Sequence, residues 1–173
     1  NMFEMAEIVA KGGLAADGFL SAAQDPSAIA DHDPDALTLE GYLFPDTYDL
    51  RDGATARTLT TQMVGHSRKV FSELGISREG RSIAGVALTL RQIVTLASIV
   101  ELETAAPDER PRIAGVFLNR LRKGMKLQTD PTVIYALKLE GRYDGNIRKL
   151  DLSMASPYNT YRFAGLPPGP IGA

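Results

Sequence analysis

Residues 82–106 read SIAGVALTLRQIVTLASIVELETAA. The apolar run Ser82–Val100 within them has about the length that a membrane-spanning helix requires. Arg91 and Gln92 sit at its middle, however, and a central arginine costs roughly 2.5–3.5 kcal/mol on insertion scales. Gly85, Thr89, Thr95 and Ser98 weaken the apolar gain further. The run is therefore read as buried structure of a water-soluble fold. Thr89-x-x-Gln92 matches a capping box, which opens a helix. Pro107 closes it, because the residue before a proline avoids helical backbone. The expected helix runs from this box to Ala105 or Ala106.

Working downstream, a second helix is expected after Pro107, with Asp108 as N-cap and Pro111 in its first turn. Its apolar stripe is Ile113, Val116, Phe117 and Leu121, and Gly124 supplies the stop. Lys126–Pro131 (KLQTDP) reads as extended and then turned, with a short helix over Pro131–Leu137. Gly165–Ala173 is rich in proline and glycine and reads as loop. Upstream, Met2–Lys11 reads as a short helix stopped by Gly12-Gly13, followed by helical turns over Asp17–Ala23. Asp25–Asp35 reads as loop. Leu39–Leu50 (LEGYLFPDTYDL) has no helical period, and Pro45-Asp46 marks a turn between extended pieces. Ala54–Leu74 is an amphipathic helix ended by Gly75. The expected class is α+β, mostly helical, with a few short strands around the site.

Composition narrows the function. The chain has 173 residues, 44% apolar and 23% charged, near the average for globular domains. Disordered, collagenous and coiled-coil classes are excluded. Nineteen basic residues against 21 acidic ones give a net charge of −2, which argues against polyanion partners such as nucleic acid. Cysteine is absent, so a disulfide framework, a thiolate zinc site and a thiol nucleophile are excluded. The cellular compartment stays open. His32 and His66 lie in no spaced metal-ligand set, and no metal or cofactor is expected. Asp46, Asp130 and Asp144 fit turns better than a metal loop. No phosphate-binding glycine loop or nucleophile elbow stands in a strand–turn–helix context.

Glu101 and Glu103 close the 89–106 helix. Two positions on a helix differ by about 200°, so the pair point apart. Glu103 continues the stripe of Leu96, Ile99 and Val100, whereas Glu101 follows Ala97 and Ser98. A carboxyl on the bulky stripe loses hydration and holds its proton, and the helix C-terminus acts in the same direction. A protonated carboxylic acid is what glycosidic cleavage needs as general acid. An exposed or ion-paired glutamate at a helix end is the alternative. Tyr42, Phe44, Tyr48, Tyr135, Tyr158 and Tyr161, mixed with Asn119, Gln128 and Asn159, supply sugar-binding chemistry: ring faces and amides. Structural tyrosines in loops are the competing account.

Five stretches carry a resemblance to a known family. LEGYLFPDTY (39–48), ASIVELET (97–104), VFLNRL (116–121), LQTDPTVIYAL (127–137) and SPYNTYRFAGLPPGPI (156–171) resemble the YceG/MltG family, and they run in the family's order. The resemblance implies an endolytic murein transglycosylase with a lysozyme-like α+β core whose cleft is lined by short strands. It implies cleavage of the MurNAc-β-1,4-GlcNAc bond in nascent peptidoglycan, leaving 1,6-anhydro-MurNAc ends. It places the family's catalytic glutamate at Glu103, the second Glu of ELET. Glu40, Glu101, Asn119, Gln128, Asp130, Tyr158 and Asn159 match motif positions expected to line the cleft.

The resemblance further implies no cofactor, peptidoglycan strands as partner with cell-wall synthases beside them, and a catalytic domain outside the cytoplasmic membrane. The chain is expected to be one partial catalytic domain, with 1–36 as helical lead-in and 37–173 as motif-bearing core. The family's N-terminal membrane helix, the LysM-like domain and the later part of the catalytic domain do not appear in it, and Asn1-Met2 reads as a processed start. Some relatives carry the label aminodeoxychorismate lyase, but no residue pattern here supports pyridoxal-phosphate chemistry. Two other functions compete: a muramidase-type hydrolase pairing Glu103 with Glu101 or Asp130, and a non-catalytic glycan-binding or scaffold module.

Overall fold

Six α-helices and one small hairpin are built from local signals in the chain, and the computed structural model describes them over residues 1–50 and 53–173. Helix α1 (Met2–Lys11) is capped by Asn1, whose side chain accepts from the amides of Phe3 and Glu4 while Glu4 reaches back. Helix α2 spans Ala16–Ala23. Residues 39–50 form a turn at 40–42 and then an irregular run. The turn expected at Pro45-Asp46 therefore falls earlier, where Gly41 adopts φ +81. Helix α3 (Ala56–Glu73) begins at the Thr55 cap.

A hairpin of β1 (Arg81–Ile83) and β2 (Val86–Leu88) pairs Arg81 with Leu88 and Ile83 with Val86. Helix α4 (Leu90–Glu103) follows at once, and the Thr89/Gln92 capping box forms in both directions. It ends at Glu103, because Thr104 turns extended, two or three residues short of the expected end at Ala105 or Ala106. Pro107–Glu109 forms a single 3₁₀ turn leading into α5 (Arg110–Arg122). The expected Asp108 cap is absent, since that residue lies inside this turn and Glu109 precedes α5 without a side-chain cap bond. Helix α6 (Asp130–Leu139) completes the set. The class is α+β, as expected, with about half of the described residues helical and the strands confined to one short hairpin. Among the described residues no helix is long and apolar enough to cross a membrane.

The core has two apolar clusters, and α4 belongs to both. Leu90 and Val94 pack with Phe19, Ile29, Leu39, Tyr42 and Val64. Leu96, Ile99 and Val100 pack with Phe117, Leu118, Leu127, Tyr135 and Ile171. On α5 the buried pair is Phe117 and Leu118, and Val116 is exposed, one step off the expected stripe. Each fully buried large side chain stabilises the fold by about 1.5–3 kcal/mol. The lead-in helices share the first cluster through Met2, Ala6, Phe19 and Ala23. Lys138 of α6 pairs with Glu4 of α1 at 2.6 Å. The late loop is fastened to α4, where the Ile171 amide donates to Ser98 Oγ at 3.0 Å.

Candidate active site

Glu103 ends α4 with its side chain exposed. The stripe ahead of it is buried through Val100, but the helix and its packing stop here. The burial expected for this carboxyl is therefore not found, and the described residues form no shelter over it. A cavity of about 550 Å³ lies along the first half of α4, between Asp33, the hairpin strand β2 and Leu166–Pro168. Another, of about 460 Å³, is lined by Phe44, Phe71, Ala97, Glu101 and Arg110. Glu103 lines neither.

What surrounds Glu103 is a polar edge built from two loops. Thr129 Oγ1 donates to Glu103 Oε2 at 2.5 Å. Thr129 lies between Gln128, exposed and in left-handed backbone at φ +52, and Asp130, the exposed first residue of α6. The Tyr161 hydroxyl donates to Asp130 Oδ1 at 2.6 Å. That bond, with burial and the charges of Asp130 and Glu103, pushes the Tyr161 phenol up to about 12, so it keeps its proton at any physiological pH. Arg120 of α5 holds the Leu127 carbonyl and so fixes the start of the loop.

The other residues expected at the site scatter. Glu101 is exposed but ion-paired with Arg110 at 2.8 Å, and it lines the cavity on the α3 side of α4. Glu40 is 2% exposed. Both its oxygens accept from the Met2 amide, at 3.1 and 3.0 Å, and burial raises its carboxyl above the usual range against those bonds. It caps α1 from inside the core and does not line an open cleft. Asn159 is fully buried. Its amide nitrogen donates to the carbonyls of Leu152 and Met154 at 3.0 Å, and its oxygen accepts from the Tyr161 amide at 2.9 Å. No polar atom of that side chain remains for a ligand. Tyr158 is half-buried against Tyr135, ring centroids 5.1 Å apart. Asn119 is exposed on α5 and accepts from Arg122 at 2.7 Å.

Glu103, Gln128 and Asp130 thus come to one edge. Thr129, Tyr161 and Arg120, which are not among the expected site residues, belong to that edge as well. Tyr161 was legible as part of the aromatic set, and the other two only through the quoted motifs. Among the described residues no group of acidic or histidine side chains is arranged to hold a metal ion.

A family model for the YceG-like family matches residues 1–173. The chain belongs to the YceG-like family. A Bacillus subtilis (strain 168) protein named endolytic murein transglycosylase is 38% identical over 138 residues, 77% of this YceG-like chain and 35% of the relative. A Streptococcus pneumoniae (strain D39) protein of the same name is 35% identical over 182 residues, covering 93% and 31%. A crystal structure of a yceG-like protein from Listeria monocytogenes superposes with a TM-score of 0.73 at 34% identity, covering 98% of this chain and 59% of that one. The YceG-like chain thus spans about a third of the length of the curated relatives it matches.

Proposed function

We propose that this chain is the catalytic part of an endolytic murein transglycosylase that cuts the MurNAc-β-1,4-GlcNAc bond and leaves 1,6-anhydro-MurNAc ends. Family membership and the names of its relatives support the reaction class. One observation carries the assignment of the acid. Of the three glutamates considered, only Glu103 is both reachable by a polymer and free of a cation partner among the described residues. Glu40 is sealed in the core, and Glu101 is neutralised by Arg110.

In this mechanism Glu103 protonates the bridging oxygen as the C1–O bond breaks. The oxocarbenium-like centre is trapped by the C6 hydroxyl of the same sugar, and ionised Glu103 takes that proton back. No attacking water and no second carboxylate are required, unlike the two-carboxylate hydrolases. A glycan strand lying across the open edge excludes water from Glu103, so the substrate itself supplies the shelter. Gln128 and the Asp130–Tyr161 pair stand beside that edge as contacts for sugar hydroxyls. Asp130, next to Thr129 in the chain, is the second carboxylate that the hydrolase reading would use, since Glu101 is paired with Arg110. The full-length protein would act outside the cytoplasmic membrane, beside the synthases that make its substrate.

The test is digestion of purified peptidoglycan by the full-length protein and its Glu103→Gln variant, with products read by mass spectrometry. Anhydro ends from the native protein, and a loss of about 100-fold or more in the variant, are expected. Reducing ends would favour the hydrolase. Undiminished cleavage by the variant would remove Glu103 from the role of acid.

A further inference from the structure

Thr129 holds the acid from behind, and the structure shows how it is itself held. It is 2% exposed, and its hydroxyl donates to Glu103 Oε2. Its backbone is tied on both sides of the Cα. The amide donates to Thr160 Oγ1 at 3.2 Å, and the carbonyl accepts from Thr132 Oγ1 at 2.7 Å. The hydroxyls of Thr132 and Thr160 are 2.8 Å apart. Because the Thr132 proton points to the Thr129 carbonyl, Thr160 is the donor in that pair. Both threonines are buried, at 0% and 2%. The residue before Thr129 is Gln128, whose left-handed backbone is unfavourable for a side chain bearing a Cβ. Its amide is anchored on the Thr160 carbonyl at 3.2 Å.

We propose that Thr129 is the positioning residue of the transglycosylase reaction. It fixes Glu103 through Oε2, so that Oε1 is the oxygen that carries the proton to the sugar bridge. The inference rests on the reading of Glu103 as the acid. The cluster of Thr129, Thr132 and Thr160 is buried, yet it directs its last hydroxyl to an exposed carboxylate. An unheld carboxyl at a helix end rotates and offers either oxygen, and the bond from Thr129 removes that freedom before substrate arrives. The proton balance is closed. Oε1–H passes to the bridging oxygen as C1–O breaks, the C6 oxygen bonds to C1, and the C6 hydroxyl proton returns to Oε1. Thr129 keeps its own proton throughout.

The experiment compares Thr129→Val, Thr129→Ser and Glu103→Gln in the full-length protein on purified glycan strands, with folding checked by circular dichroism. The valine variant, close in shape, is expected to lower kcat about 10–100-fold with KM unchanged, and the serine variant to restore most of it. Native kcat in the valine variant overturns the proposal. So does a defect confined to KM, or a serine variant as slow as the valine one. Should the valine variant fail to fold, Thr129→Ala against Thr129→Ser is read by the same criteria. Glu103→Gln with native turnover would sink the acid assignment itself. An inactive Glu103→Gln beside a fully active Thr129→Val would sink the positioning role alone.

Discussion

Asn159 and Glu103 show what a motif can and cannot say about a single side chain. Both lie in stretches that identify the family, and both residue types suit a sugar site. Asn159 is instead consumed by its own loop, holding two carbonyls and an amide. Asn159→Ala strands those buried groups and should cost about 2–3 kcal/mol, read as a lower urea midpoint at an unchanged slope. A side chain that contacted glycan would instead leave the midpoint alone and weaken substrate binding. Glu40 makes the same point, since its sequence neighbours do not reveal that Met2 arrives to cover it. At Glu103 the helical stripe was legible through Val100. Its exposure was not, because that depends on α4 stopping at Glu103 and on which segments pack beyond it.

At the scale of elements, the signals that worked were local and chemical. The Thr89/Gln92 box, the Pro107 stop and the Gly12-Gly13 stop set the limits of α4 and α1 to within a few residues. The β1–β2 hairpin gave no such signal. Its strands have three residues each, and its turn places Ala84 and Gly85 at φ +49 and +80. That geometry is usually announced by Asn-Gly or Gly-Gly, and alanine at the first position hides it. Ala84→Asn suits the left-handed backbone better and should stabilise the protein by about 0.5–1 kcal/mol. A rise in the thermal midpoint would show this, and a fall would mean that the turn is not the one described.

For the whole molecule, composition and helical periods sufficed for the α+β class, whereas the long-range ties that close the fold were beyond them. One such tie joins the 31–35 loop to α4: Arg91 clamps Asp33 through Nε and Nη2, and Tyr42 donates to the same carboxylate at 2.7 Å. Burial raises Asp33, but these bonds outweigh it and hold the group below its ordinary 3.8. Its contribution is therefore complete above that value and fades as the pH drops through the lowered one. Glu40 has the opposite sign. Burial lifts it above 4.5, so its contribution is complete below 4.5 and is lost as the pH rises through the folded value. Urea midpoints measured across the acid range should show a shallower acid arm in Asp33→Asn and a shallower decline above 4.5 in Glu40→Gln. Curves superimposable on the native one would refute both assignments.

The membership of α4 in both apolar clusters has a further consequence. A helix gripped from two sides has no cheap way to fray, so its amides should exchange with heavy water only when the entire chain opens. Neither half can melt ahead of the other while that rod stays in place. Warming should therefore abolish secondary and tertiary structure in one step, and a flaw introduced in the α1–α3 half should make itself felt at position 103.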